Sequence, residues 1–322
     1  MIYFFTGQPQ GYIAFIGILA AFILTCFTTS KFADLLPKDL GRDFAFDGKK
    51  SAGKPRGAGI IFILVFCIVS LVFGKIDLEN SLYLLLVFAA MLTGFLDDAS
   101  KAPWGEYKKG LLDLLIAAGV AGVYLYFNPS SITFAVFDFT LVIPPVVFAI
   151  LTMILVWGSI NVTNCSDGVD GLSGTLTIIT IMTFYVIDIM RGTESNITYF
   201  ILIFAVCILG YLWFNATPSK LLMGDAGSRA MGLFIAVAAL KSGDPLLFIP
   251  AAFVLIMDGG LGLVKVFLLR FLKIRILKNV RTPLHDQARK VSGWSNTQTV
   301  FRFAIIQLVI SMAVIYMVIN RL

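Results

Sequence analysis

Residues 81–101 read SLYLLLVFAAMLTGFLDDASK. An apolar run ends abruptly in two adjacent carboxylates, Asp97 and Asp98. A hydrocarbon layer about 30 Å thick requires roughly 20 apolar residues per helical span, and similar runs recur along the chain. They centre on residues 11–30, 57–74, 81–96, 110–127, 142–160, 172–190, 197–214, 227–241, 246–270 and 299–319, ten in all. The 322 residues are 58% hydrophobic and 14% charged, more apolar surface than one soluble core can hide. Within lipid each backbone polar group must be satisfied inside its own segment, so the runs are expected to be helices. The expectation is an all-α polytopic membrane protein of about ten transmembrane helices, with residues 1–322 forming a single integral-membrane domain.

The distribution of Lys and Arg orients these spans. With ten spans, the loops around 31–56, 97–109, 161–171, 215–229 and 270–302 share one side and hold twenty basic residues. The opposite side holds four, Lys75, Arg191, Lys241 and Arg321. The richer side is cytoplasmic by the positive-inside bias, which places both termini outside. The net charge of +6 is thus a matter of topology, and nucleic acid is not expected as a partner. No basic stretch precedes the first apolar run, so no cleavable signal peptide is expected. Cys26, Cys67, Cys165 and Cys207 have no CxxC spacing and read as reduced packing residues.

Four constellations carry polar chemistry, and all fall on the basic side. GFLDDASK (94–101) sets two like charges at a span end. Burying a carboxylate at membrane depth costs about 2.5–3.5 kcal/mol on insertion scales. A hard cation such as magnesium relieves both that cost and the mutual repulsion; an exposed interfacial helix cap is the competing reading. NVTNCSDGVDGLSG (161–174) repeats Asn161, Asn164, Asp167 and Asp170 every third residue, which turns them toward one face. NATPSKLLMGDAGSRAMG (215–232) places Asp225 in a glycine-flanked turn at the start of a span, where it is either a metal ligand beside a phosphate seat or a simple N-cap. TPLHDQARKVSGW (282–294) contains the single histidine, His285, with Arg289 and Lys290 behind it, in a connection long enough to suggest function. His can exchange a proton with phosphate, and Arg matches diphosphate charge.

Two weaker features remain. GKPRGAG (53–59) is a basic, Gly-rich entry to the second run, suited to a phosphate contact or simply to topology. In the ninth run, Asp258 and Lys265 are two turns apart, close enough to pair.

As an ordered set, GF-x-DD, N-x-x-N-x-x-DG-x-DG and N-x(6)-LMGD-x-GS resemble the polyprenyl-phosphate phosphosugar-1-phosphate transferase superfamily, over nearly the whole chain. The closing TPLH and GW are most similar to its phospho-N-acetylmuramoyl-pentapeptide transferase family. The resemblance implies transfer of phospho-MurNAc-pentapeptide from UDP-MurNAc-pentapeptide to undecaprenyl phosphate, giving lipid I and UMP in the bacterial cytoplasmic membrane. It implies Mg2+ as cofactor and leaves room for a homodimer. Carried over by motif, Asp97 and Asp98 are the acidic pair, with Asp98 receiving the proton of the lipid phosphate. Asp225, with Asp98, holds the metal. Asn161, Asn164, Asp167, Asp170 and Asn215 line the nucleotide-sugar side, Lys109 lies near the phosphates, and His285 matches the first of three family histidines. Asp286 and Gln287 replace the other two. Arg56 stands where the family often has threonine, and Lys265 replaces a glutamine.

Three rivals are distinguishable. A UDP-GlcNAc:undecaprenyl-phosphate transferase keeps the reaction and changes the sugar. A transporter would show half-chain repeats and midplane charges, and the sequence shows no such repeat. A scaffold with a decayed site fits the reduced histidine motif.

Overall fold

A computed structural model describes residues 10–41, 51–134, 139–193 and 196–320. Of the basic residues used for orientation, Arg42, Lys49, Lys50 and Arg321 lie outside the described residues. The helices are α1 (Gln10–Phe32), α2 (Gly59–Phe73), α3 (Leu78–Asp98), α4 (Glu106–Phe127), α5 (Pro145–Ser166), α6 (Leu172–Arg191), α7 (Asn196–Asn215) and α8 (Gly224–Lys241). A bent pair follows, α9 (Pro245–Ala251) and α10 (Phe253–Phe271), then a short α11 (Leu284–Lys290) and α12 (Asn296–Ile319).

Helix falls on each apolar run of the sequence, but not every helix is built to cross a bilayer. Among the described residues, seven are long and apolar enough, or eight if the bent pair counts as one span. The 15-residue α2 is short, and α8 carries Asp225, Arg229 and Lys241 within its 18 residues.

Helix α8 is the axis of the bundle. Every residue from Gly224 to Leu240 is buried, and α2, α3, α5 and α6 pack around it. A helix enclosed on all sides needs small residues to admit its neighbours, because lipid supplies no hydrophobic drive between helices. Two glycines decide the approach at the polar end. A Cβ on Gly59 would lie 2.0 Å from the Gly227 nitrogen, and one on Gly94 would lie 2.3 Å from the Asp225 carbonyl oxygen. The backbones of α2 and α3 therefore touch the first turn of α8, and the last turn of α3 is carried onto Asp225.

Three features depart from the reading of the sequence. The chain is not wholly helical: Ser131–Phe134 pairs antiparallel with Phe139–Val142 between α4 and α5. The ninth run is not one straight span, because α9 and α10 meet at 71° around Ala252. Pro250 has no N–H to continue the ladder, and Gln307 of α12 satisfies the opened backbone, accepting from Val254 N at 2.8 Å and donating to the Pro250 carbonyl at 3.2 Å. Third, Asn161–Ser166 are helical rather than looped: the helix that starts at Pro145 runs through Gly158 and ends at Ser166, with Asp167 as its C-cap.

Candidate functional site

Acidic and basic side chains from separate segments meet at one end of the bundle. Asp97 and Asp98 close α3, Lys109 opens α4, Asn164 lies on the last turn of α5, and Asp225 lies on the first turn of α8. Arg56 comes from the segment before α2. That segment is stitched to the approach to α8 by Leu222 N to the Pro55 carbonyl at 2.7 Å and Ala58 N to the Leu222 carbonyl at 3.0 Å.

Lys109 Nζ lies 2.5 Å from Asp97 Oδ2 and 2.9 Å from Asp225 Oδ2. Asp97 Oδ1 accepts from Trp104 N at 2.7 Å. Asp98 Oδ2 accepts from Ala226 N at 3.0 Å, so the start of α8 holds the second carboxylate of α3. Its Oδ1 faces Arg56 Nε at 3.0 Å. Arg56 also reaches Asp225 Oδ1 at 3.9 Å and Asp39 Oδ1 at 3.6 Å. Asn164 Nδ2 donates to Asp225 Oδ1 at 3.1 Å and Ser228 Oγ at 2.9 Å. Asp97, Asp98 and Asp225 are all buried. Burying several carboxylates in one place is costly unless they are paired and hydrogen-bonded, and here each is.

A second pair lies one helical turn along. Arg229 Nε donates to Asp113 Oδ1 at 3.0 Å, its Nη2 is also paired with Asp113, and Nη2 reaches the Lys109 carbonyl at 3.4 Å. Lys109–Asp225 and Asp113–Arg229 thus form two rungs between α4 and α8. The sequence reading passed over Asp113 and gave Arg229 no partner. The available signal was a pair of complementary i, i+4 spacings, Lys109/Asp113 and Asp225/Arg229, on two apolar helices.

The remaining predicted residues sit around this centre. His285 N donates to Asp258 Oδ1 at 2.7 Å, and its Nδ1 lies 2.9 Å from Asp258 Oδ2, so α10 fixes the ring. The other ring nitrogen faces Gly168, where a Cβ would lie 2.4 Å away. Asp258 therefore partners His285 and not Lys265, which donates to the carbonyls of Leu277 and Val280 at 3.0 and 2.9 Å. Arg289 Nη2 donates to the Gly168 carbonyl at 3.1 Å and to Asp286 at 2.8 Å. Burial pushes the Asp286 carboxyl up, but the Lys290 hydrogen bond and the charges of His285, Lys290 and Arg289 outweigh it and hold it below the usual carboxylate range.

Asn215 and Asp170 brace loops. Asn215 Oδ1 accepts from Gly171 N at 2.8 Å, its Nδ2 donates to the Leu221 carbonyl at 2.9 Å, and Asp170 Oδ2 accepts from Ser219 N at 3.2 Å. Asn161 donates to the Trp157 carbonyl of its own helix at 2.8 Å, and Asp167 sits half-buried at the C-cap of α5.

Outside α4 and α5 lies an apolar groove of about 590 Å³, lined by residues including Tyr107, Leu111, Leu114, Ile154 and Trp157. Glu106 borders it and pairs with Arg270 at 2.9 Å.

Fold and site together define a multi-pass membrane protein with a charged centre gathered at one end of its helices. The family model for glycosyl transferase family 4 matches residues 80–243. The phospho-N-acetylmuramoyl-pentapeptide-transferase of Treponema pallidum is 39% identical, over 92% of this chain and 88% of its own length. The proteins of that name from Fervidobacterium nodosum and Clostridium acetobutylicum are 30% identical over 94% of the chain and 97% of their own, and 27% identical over 91% and 95%. The chain belongs to glycosyl transferase family 4, in the branch formed by these phospho-N-acetylmuramoyl-pentapeptide-transferases.

Proposed function

We propose that the chain transfers phospho-MurNAc-pentapeptide from UDP-MurNAc-pentapeptide to undecaprenyl phosphate at the cytoplasmic face of a bacterial inner membrane. The observation that carries this reading is the convergence of Asp98, Asp225, Arg56, Lys109 and Asn164 on one spot. Beside it, the groove along α4 offers apolar surface suited to a prenyl chain. Ten spans with both termini outside belong to this proposal and rest on the bias of Lys and Arg toward one set of loops.

The donor set suits Mg2+. Asp98 Oδ1 and Asp225 Oδ1 are hard oxygens that both face the Arg56 guanidinium, and Mg2+ usually takes one or two carboxylates plus substrate phosphates. When bound, the ion supplies charge neutralisation on the departing phosphate. Asp98 takes the proton of the lipid phosphate. The freed oxygen attacks the sugar-side phosphorus of the diphosphate, the new P–O bond forms as the old one breaks, and UMP leaves. Lys109 and Arg56 offset negative charge, and Asn164 fixes Asp225, so catalysis is mainly positioning and electrostatics. Asp258 sets the His285 ring, and Arg289 secures the loop at Gly168, which gives both a place in shaping the donor side.

The test is purified protein with undecaprenyl phosphate, Mg2+ and either UDP-MurNAc-pentapeptide or UDP-GlcNAc. UMP release is expected with the first donor. Release with UDP-GlcNAc alone would overturn the choice of sugar.

A further inference from the structure

We propose that Arg56 is a resident counter-ion that competes with the divalent cation for Asp98 and Asp225 and binds the donor's diphosphate once it is displaced. The inference rests on the reading of this centre as a metal and diphosphate site. Asp98 Oδ2 is committed to Ala226 N and Asp225 Oδ2 to Lys109, while Asp225 Oδ1 also accepts from Asn164 Nδ2 at 3.1 Å. Their other oxygens are those a cation would use, and Arg56 faces both, at 3.0 and 3.9 Å. Guanidinium and metal ion therefore want the same two atoms.

The Arg56 segment cannot withdraw as a whole. Arg56 N donates to the Pro37 carbonyl at 2.8 Å, and Pro55, Ala58 and Gly59 are bonded to Leu222 and Met223, two to three residues before Asp225. Only the side chain is free to turn, and at 19% exposure it reaches the open side of the site. A guanidinium offers a planar fork of five donors matched to phosphate oxygens. Lys109 cannot take this part without releasing both Asp97 and Asp225. Asp39 steadies the third edge of the guanidinium at 3.6 Å and is itself held by Ser51 Oγ at 2.6 Å.

The test uses the full chain in detergent without lipid acceptor. Mn2+ binding is followed by electron paramagnetic resonance for the parent protein, Arg56→Ala and Arg56→Lys. UDP-MurNAc-pentapeptide binding is measured separately at saturating Mn2+, where the cation holds the two carboxylates and Arg56 is displaced. Removing a positive charge this close to the ligand oxygens is expected to tighten Mn2+ by about tenfold or more, and to weaken nucleotide binding by a similar factor. Arg56→Lys keeps the charge but loses the fork, so it is expected to leave Mn2+ affinity near the parent value while nucleotide binding still falls. Unchanged or weaker Mn2+ binding in Arg56→Ala, with the parent binding Mn2+, would overturn the competition and leave the metal site standing. Unchanged nucleotide binding in both variants would overturn the diphosphate role. No Mn2+ binding by any of the three proteins would overturn both the inference and the metal site beneath it.

Discussion

Removing Asp113 tests how the charged centre is held together. Its partner Arg229 has a side chain only 2% exposed, and Asp113 itself is 6% exposed. Truncation to alanine leaves a buried guanidinium whose remaining described contact is the Lys109 carbonyl at 3.4 Å. Breaking a buried pair in this way costs about 3–5 kcal/mol, because one charge is left uncompensated. The exposed pair Arg270–Glu106, at 55% and 79%, gives an internal control, since such surface pairs contribute about 0–1 kcal/mol. Denaturant unfolding in detergent, followed by circular dichroism, would compare Asp113→Ala, Glu106→Ala and the double variant Asp113→Leu/Arg229→Met. Asp113→Ala is expected to lose several times more than Glu106→Ala. The double variant is expected to regain most of that loss, because replacing both partners with apolar groups is often neutral or stabilising. The reasoning fails if Asp113→Ala is no worse than the control, or if the double variant is no better than the single.

Further outcomes follow from the same geometry. Asp98→Asn and Asp225→Asn are each expected to abolish UMP release while the unfolding midpoint stays close to the parent; normal turnover in either removes that residue from its assigned part. Gly94→Ala drives a methyl into the Asp225 backbone, where the contact would be 2.3 Å. A loss of about 1–3 kcal/mol together with weakened turnover is expected, and a silent substitution would show that α3 and α8 can separate freely. The carboxyl of Asp286 is held low in the fold, so its stabilising effect is fully present above the unfolded value of about 3.9. That effect is lost as pH falls through the depressed folded value. Amide protection factors across Leu284–Lys290, normalised to the intrinsic exchange rate at each pH, should therefore stay high at pH 5 and fall only in stronger acid, and a loss of protection near neutrality would contradict the pairing.

The sequence made parts of this arrangement legible for physical reasons. Paired acids at the end of an apolar run stand out because lipid makes them expensive, so Asp97 and Asp98 are legible in the sequence, and the structure brings Asp225 to them. His285 was found as the single histidine of a long basic connection. Partner choice was harder to see. Asp258 has Lys265 two turns along its own segment, yet the bend at Ala252 and the loop that follows bring His285 to it instead. Asn215 read as a substrate ligand by motif, but both ends of its amide bond backbone and tie the α6 and α8 approaches together. GKPRGAG leaves Arg56 open between a phosphate contact and topology, because nothing local announces a contact with Asp98, 42 residues later in the chain. The hairpin hid because its two strands have only four residues each.

The most direct measurement is a product balance. The purified chain is supplied with UDP-MurNAc-pentapeptide, undecaprenyl phosphate and Mg2+, and both UMP and lipid-linked phosphosugar are quantified. The account predicts equal amounts of the two, with neither formed when the lipid acceptor or the metal is left out. Movement of a substrate across sealed vesicles without any nucleotide release would contradict it.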